Sequence, residues 1–140
     1  MNTAALADAL RAEHAAIYAY GVLGAHLDSA TVPFAVQAES AHRARRDALQ
    51  LRLADLKASA PPAEPAYALP SPVTDQASAL RLAITVEERC AGQWRPVLPA
   101  TTGDDRAAAA DALIDCAVRA TRARHLAGVS PATVAFPGLG

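Results

Sequence analysis

The sequence predicts an all-α four-helix bundle, and three observations carry that reading. Four stretches rich in alanine and leucine have high helix propensity and are separated by proline, glycine and small polar residues. Within each stretch apolar residues recur at alternating spacings of four and three, the period of one helix face. The length, 140 residues and 14.4 kDa, holds four helices of roughly 25 residues in one domain, read as spanning 1–140, with a core of its own.

The first helix starts near Thr3, whose hydroxyl suits an N-cap. It is expected to run to about Asp28, where Asp28-Ser29-Ala30-Thr31 supplies loop chemistry. The second begins near Pro33, because the fixed φ of proline fits the first helical turn, and continues to about Ser59. Five prolines between residues 60 and 72 exclude a helix, so a linker covers about 60–73. Thr74 or Asp75 caps the third helix, which is expected to end around Leu98-Pro99. Gly103-Asp104-Asp105 opens the fourth, which ends near Ala127-Gly128, with His125 placed to interact with its C-terminal dipole. The tail, about 128–140, is apolar yet contains Pro131 and Pro137, and is expected to pack as an extended strap or to stay disordered.

The linker constrains topology. An extended proline-rich chain at about 3.1 Å per residue covers roughly 40 Å in this segment, the length of a helix of about 26 residues. An up-down-up-down bundle needs only a few residues at that point, so a long crossover between the second and third helices is expected.

Composition excludes several classes. A net charge of −1 and a pI near 6.4 do not suit a protein that neutralises phosphates, so no nucleic acid is expected, and the basic run His42-Arg43-Ala44-Arg45-Arg46 spreads over several helix faces, with Arg43 able to pair with Asp47. No uninterrupted apolar run reaches about 18 residues, and Asp8, Arg11 and Glu13 break up the N-terminal alanines, so neither a membrane span nor a signal peptide is expected and a cytoplasmic location follows. Cys90 and Cys116 match neither a disulfide framework nor a CxxC motif and are read as reduced core residues. With no Ser-His-Asp set and no glycine-rich phosphate loop, no catalytic residue is assigned. Aromatics make up only 4% of the chain, so the core has few bulky anchors. Ile17, Tyr18, Val22 and Ala25 widen the apolar band of the first helix, and a symmetric homodimer through the first hairpin is expected unless Val134, Phe136 and Leu139 of the tail cover that band.

The informative irregularity lies on the core seams. The first reads Leu6, Leu10, Glu13, Ile17, Tyr20, Gly24, Leu27; the third reads Leu80, Ile84, Glu87, Ala91, Trp94, Leu98; the second reads Glu39, His42, Arg46, Leu49, Leu53, Leu56. A carboxylate in a core must shift its pKa, find a cation or ligate a metal. Folding the first hairpin near residues 30 and 31 levels Glu13 with Arg45, Arg46 and Leu49, and leaves His42 closer to Tyr20. Folding the second near residue 101 levels Glu87 with Asp115, and a lengthwise crossover sets Glu87 beside Arg46. A buried charge network of Glu13, Arg45, Arg46, Glu87 and Asp115 is therefore expected to fix helix register.

The four-helix plan, the central glutamates and Glu-His-Ala-Ala-Ile-Tyr-Ala-Tyr-Gly at 13–21 resemble ferritin-like proteins. More narrowly, His-Arg-Ala-Arg-Arg-Asp-Ala-Leu at 42–49, Ala-Tyr-Ala-Leu-Pro at 66–70 and the C-terminal Ala-Phe-Pro-Gly resemble an uncharacterised actinobacterial ferritin-like family with no established activity. The broad class implies a di-iron or di-manganese centre built from one Glu on each of two helices and Glu-x-x-His on the other two. Glu13 and Glu87, with Glu88 as neighbour, match the lone glutamates, and Glu39-Ser-Ala-His42 matches one Glu-x-x-His. The fourth helix offers only Asp115-Cys-Ala-Val118, without an imidazole. By the depth estimate Glu39 and His42 sit about one to two turns nearer the loop than Glu13. The reading is a non-catalytic structural or interaction domain without a cofactor. The alternative is an iron or manganese protein using Glu13, Glu39, His42, Glu87 and Asp115.

Overall fold

A computed structural model of the chain describes residues 3–139. Met1, Asn2 and Gly140, which the single-domain reading of 1–140 includes, lie outside the described residues. The described chain is helical, without a strand: α1 (Thr3–Leu23), a 3-10 turn (Gly24–His26), α2 (Val32–Asp55), α3 (Gln76–Trp94), the short α4 (Val97–Ala100) and α5 (Gly103–Ala127). No described helix is long and apolar enough to cross a membrane.

Three helix ends differ from the sequence expectation, each for a local reason. The α-helix of α1 stops at Leu23 rather than near Asp28, because Gly24–His26 tightens into a 3-10 turn and Leu27 is extended. α2 stops at Asp55 rather than near Ser59. The Ala58 N–H donates to Leu53 O and the Lys57 N–H to Ala54 O, with Lys57 left-handed at φ 54°, the paired closing bonds of a Schellman motif. α3 stops at Trp94 because Pro96 lacks an amide hydrogen, and the chain resumes as one short turn, α4. α3 begins where expected: the Asp75 carboxylate accepts from the Ser78 N–H at 2.8 Å while the Asp75 N–H donates to Ser78 Oγ at 3.0 Å, a reciprocal cap. Gly128, left-handed at φ 70°, closes α5, and His125 lies in its basic last turn.

Side-chain pairs fix helix directions. Trp94 meets Glu13 and Glu87 meets Tyr20, so α1 and α3 are antiparallel. Arg45 with Asp115, Arg52 with Asp105 and Arg122 with Gln37 make α2 and α5 antiparallel. Since α1 and α2 form a hairpin, α2 and α3 run in the same direction. Residues 56–75 follow α1: His14 Nε2 lies 3.1 Å from Pro61 O, the Tyr67 ring packs on Tyr18 with centroids 5.6 Å apart, and Gln76 bonds Asp28. The linker thus partly covers the outer band of α1 that motivated a dimer there. The tail does not cover it; it packs against α3 and α5.

Arg95 Nη1 donates to Pro137 O at 2.8 Å, and Arg124 Nη1 donates to Ala132 O at 3.3 Å. Gly138 permits the close approach, for its φ is +84° and an added Cβ would stand 2.8 Å from Ala91 O. Gly138→Ala is therefore expected to lift the tail. Limited proteolysis should cleave after Gly128 faster than in the wild type, while the global unfolding free energy changes by less than about 1 kcal/mol.

Candidate functional site: a buried charge network

Alanine and leucine close the bundle around its middle, and there the seams place polar groups that have no access to water. Glu13, His42 and Glu87 are fully buried, with Tyr20 and Trp94 nearly so. His42 is the hub. Its Nδ1 lies 2.5 Å from Glu13 Oε2, and its Nε2 lies 2.9 Å from Glu87 Oε1. The second oxygen of Glu13 accepts from the Trp94 indole N–H at 2.7 Å. Glu87 also accepts from the Tyr20 hydroxyl at 2.6 Å and from Arg119 Nη1 at 3.2 Å. The Tyr20 and His42 rings stack with centroids 5.6 Å apart. Arg119 Nη2 reaches Asp115 at 2.5 Å, and Arg45 Nη2 reaches the same carboxylate at 3.2 Å, where the network meets solvent.

Three carboxyl groups thus face three basic groups across four helices. Burial alone would lower the His42 pKa, but Glu13 and Glu87 outweigh it and push it up to about 10. Burial would raise Glu87, yet His42 and then Arg119 hold it below the usual carboxylate range. Asp115 is likewise lowered against its partial burial by Arg119 and Arg45, while burial and the Glu87 charge raise the Tyr20 phenol. Among the described residues no buried side-chain nitrogen or oxygen lacks a hydrogen-bond partner.

Glu13, Arg45, Glu87 and Asp115, four residues of the expected network, are linked, but not in the expected pairs. Glu13 meets His42 and Trp94 rather than Arg45 or Arg46, and Arg46 turns to Asp47 at 2.8 Å instead of the centre. The depth estimate fails because the turn begins at Leu23 and ends at Val32: Glu13 lies ten residues before the first and His42 ten residues after the second, so they are level. Glu39 is outside the network, bonded to Arg43 at 2.7 Å, which also replaces the expected Arg43–Asp47 pair. Glu88 pairs with Arg124 beside the tail.

Arg119 was not among the expected residues. A seam count on α5, Ala109, Ala112, Cys116, Arg119, Ala123, carries the signal that flagged Glu13 and Glu87: a charge on an apolar line. Arg119 begins one turn beyond Asp115, and long helical side chains lean toward the N-terminus, which brings its guanidinium back to Glu87.

Residues 5–140 match the family described as "Domain of unknown function (DUF4439)". The chain belongs to that family. This DUF4439 member is similar to a solved structure, the crystal structure of a conserved hypothetical protein, rv2844, from Mycobacterium tuberculosis. The two are 42% identical, the likeness covers 96% of this chain and 95% of that one, and the TM-score is 0.87. No curated protein matches the chain.

Proposed function

We propose that this DUF4439 domain is a ferritin-like bundle in which a protonated histidine and an arginine stand where a di-metal centre would sit, and that it serves as a structural or interaction domain rather than an oxidase. The observation that carries the reading is His42, with both ring nitrogens engaged by Glu13 and Glu87. The topology is supported by the shared direction of α2 and α3 and by a proline-rich connection lying along α1.

A di-iron or di-manganese centre does not fit these residues. It requires Glu-x-x-His on two helices. Here Glu39 bonds Arg43 outside, and α5 presents Arg119 instead of an imidazole. A guanidinium against Glu87 repels a dication at that carboxylate. A surface suited to an interaction role lies on α5 and the tail, where Ile114, Val118, Phe136 and Leu139 are exposed; a homodimer, if it forms, has its apolar area there rather than on α1.

Protein produced with supplemented iron and manganese is expected to carry close to zero of either metal by elemental analysis. A stoichiometry approaching two ions per chain, abolished by Glu13→Ala or Glu87→Ala, would overturn the reading.

A further inference from the structure

Neither cysteine takes part in the charge network, yet both are buried beside it. Cys90 on α3 and Cys116 on α5 are free thiols with about 1% exposure or less. Cys90 Sγ also faces Ala12 O at 3.6 Å. One ligand atom each from Glu13, His42 and Cys90 lie within 4.8 Å of one another. The set takes one donor from each of three long helices: oxygen from α1, nitrogen from α2 and sulfur from α3.

We propose that Glu13, His42 and Cys90 form a latent site for one thiophilic divalent cation of the zinc class, its fourth position taken by a water. This goes beyond the reading above, because its donors include a thiolate and it holds one ion rather than two. Tetrahedral coordination with N/O/S donors is the preference of zinc, with metal–nitrogen and metal–oxygen bonds of about 2.0–2.2 Å. Such bonds separate neighbouring donors by about 3.3 Å, so His42 and Glu13, now 2.5 Å apart, have to part by less than 1 Å.

The supports that a metal-bound histidine and carboxylate require are in place. His42 Nε2–H can donate to Glu87 while Nδ1 ligates, the carboxylate–histidine–metal arrangement that sets the tautomer. Trp94 holds one oxygen of Glu13 and leaves Oε2 for the ion. Binding exchanges protons for the cation: the imidazolium proton and the Cys90 thiol proton leave to solvent, and no redox step is involved. A cleft between α1 and α3, lined by Ala12, Ala16 and Val86, also touches Cys90.

Cobalt(II) titration of the reduced full-length protein tests the site. Cys90 and Cys116 are the two cysteines of the chain, so any thiolate-to-cobalt absorption band reports on them. A band that saturates at one equivalent, with tetrahedral visible bands displaced by zinc, is expected. Cys90→Ser should weaken binding more than about tenfold and abolish the band, whereas Glu39→Gln should leave both unchanged. X-ray absorption of the zinc-loaded wild type avoids dependence on variant folding, and one sulfur with three nitrogen or oxygen neighbours is expected. No charge-transfer band on the folded protein, or a shell of oxygen and nitrogen alone, would overturn the site. Iron and manganese content bears only on the di-metal question, so the two failures are separable.

Discussion

His42→Leu is expected to lower the unfolding free energy at pH 7 by about 3–5 kcal/mol, the cost of breaking a buried ion pair by removing one partner. The substitution leaves Glu13 and Glu87 facing each other from α1 and α3 with no cation between them. Urea denaturation checks it: the midpoint should fall with the slope unchanged. Glu39→Gln, one turn earlier on α2 and outside the network, should change stability by less than about 0.5 kcal/mol. A loss under about 1 kcal/mol for His42→Leu would show that the glutamates, rather than the imidazole, carry the central protons.

The stability of the metal-free protein is expected to fall as pH rises between about 6.5 and 10. His42 has a folded pKa near 10 against an ordinary value of 6.5. Within that window the folded chain binds a proton that the unfolded chain has released, so raising the pH favours unfolding. The contribution is fully present below 6.5, and its loss across the window amounts to a few kcal/mol. The groups facing His42 are Glu13 and Tyr20 from α1 and Glu87 and Cys90 from α3, with Arg119 and Asp115 of α5 behind Glu87. Cys90 and Tyr20, both raised, add loss of the same sign above about 9, so the stretch from 6.5 to 9 isolates His42. On the acid side the sign reverses: Glu87 and Asp115 are held low, and their stabilisation disappears as pH falls through their folded pKa values. Thermal denaturation across pH should show the alkaline decline in the wild type and a flatter course in His42→Leu.

The helical architecture was legible because alanine-rich segments, prolines and caps act locally. Glu13 and Glu87 were legible because a carboxylate on an apolar seam contradicts its surroundings wherever it occurs. The pairing was not. Placing Glu13 against Arg45 or Arg46 instead of His42 came from assuming α-helical rise up to residue 30, whereas the 3-10 turn at Gly24–His26 ends that rise at Leu23. A few residues of turn geometry shift a whole helix by about one turn, and propensity does not encode it. Arg119 escapes a count of levels for a different reason: such a count follows backbone positions, while a guanidinium acts about one turn away from its Cα. Glu39 shows the converse error, since Glu-x-x-His spacing identifies a motif but does not say that both members face inward, and here only His42 does.

Trp94 is the one tryptophan of the chain, and its indole is hydrogen-bonded to Glu13 at the middle of the bundle. The protein therefore carries an intrinsic optical label wired to the residues of greatest interest. Loss of the His42 proton or entry of a cation alters the charge next to the indole, so emission colour and lifetime follow events at the centre without any added dye. Unfolding, by contrast, brings the same ring into water, a separate spectral change. One fluorophore thus distinguishes rearrangement inside an intact bundle from collapse of the bundle itself.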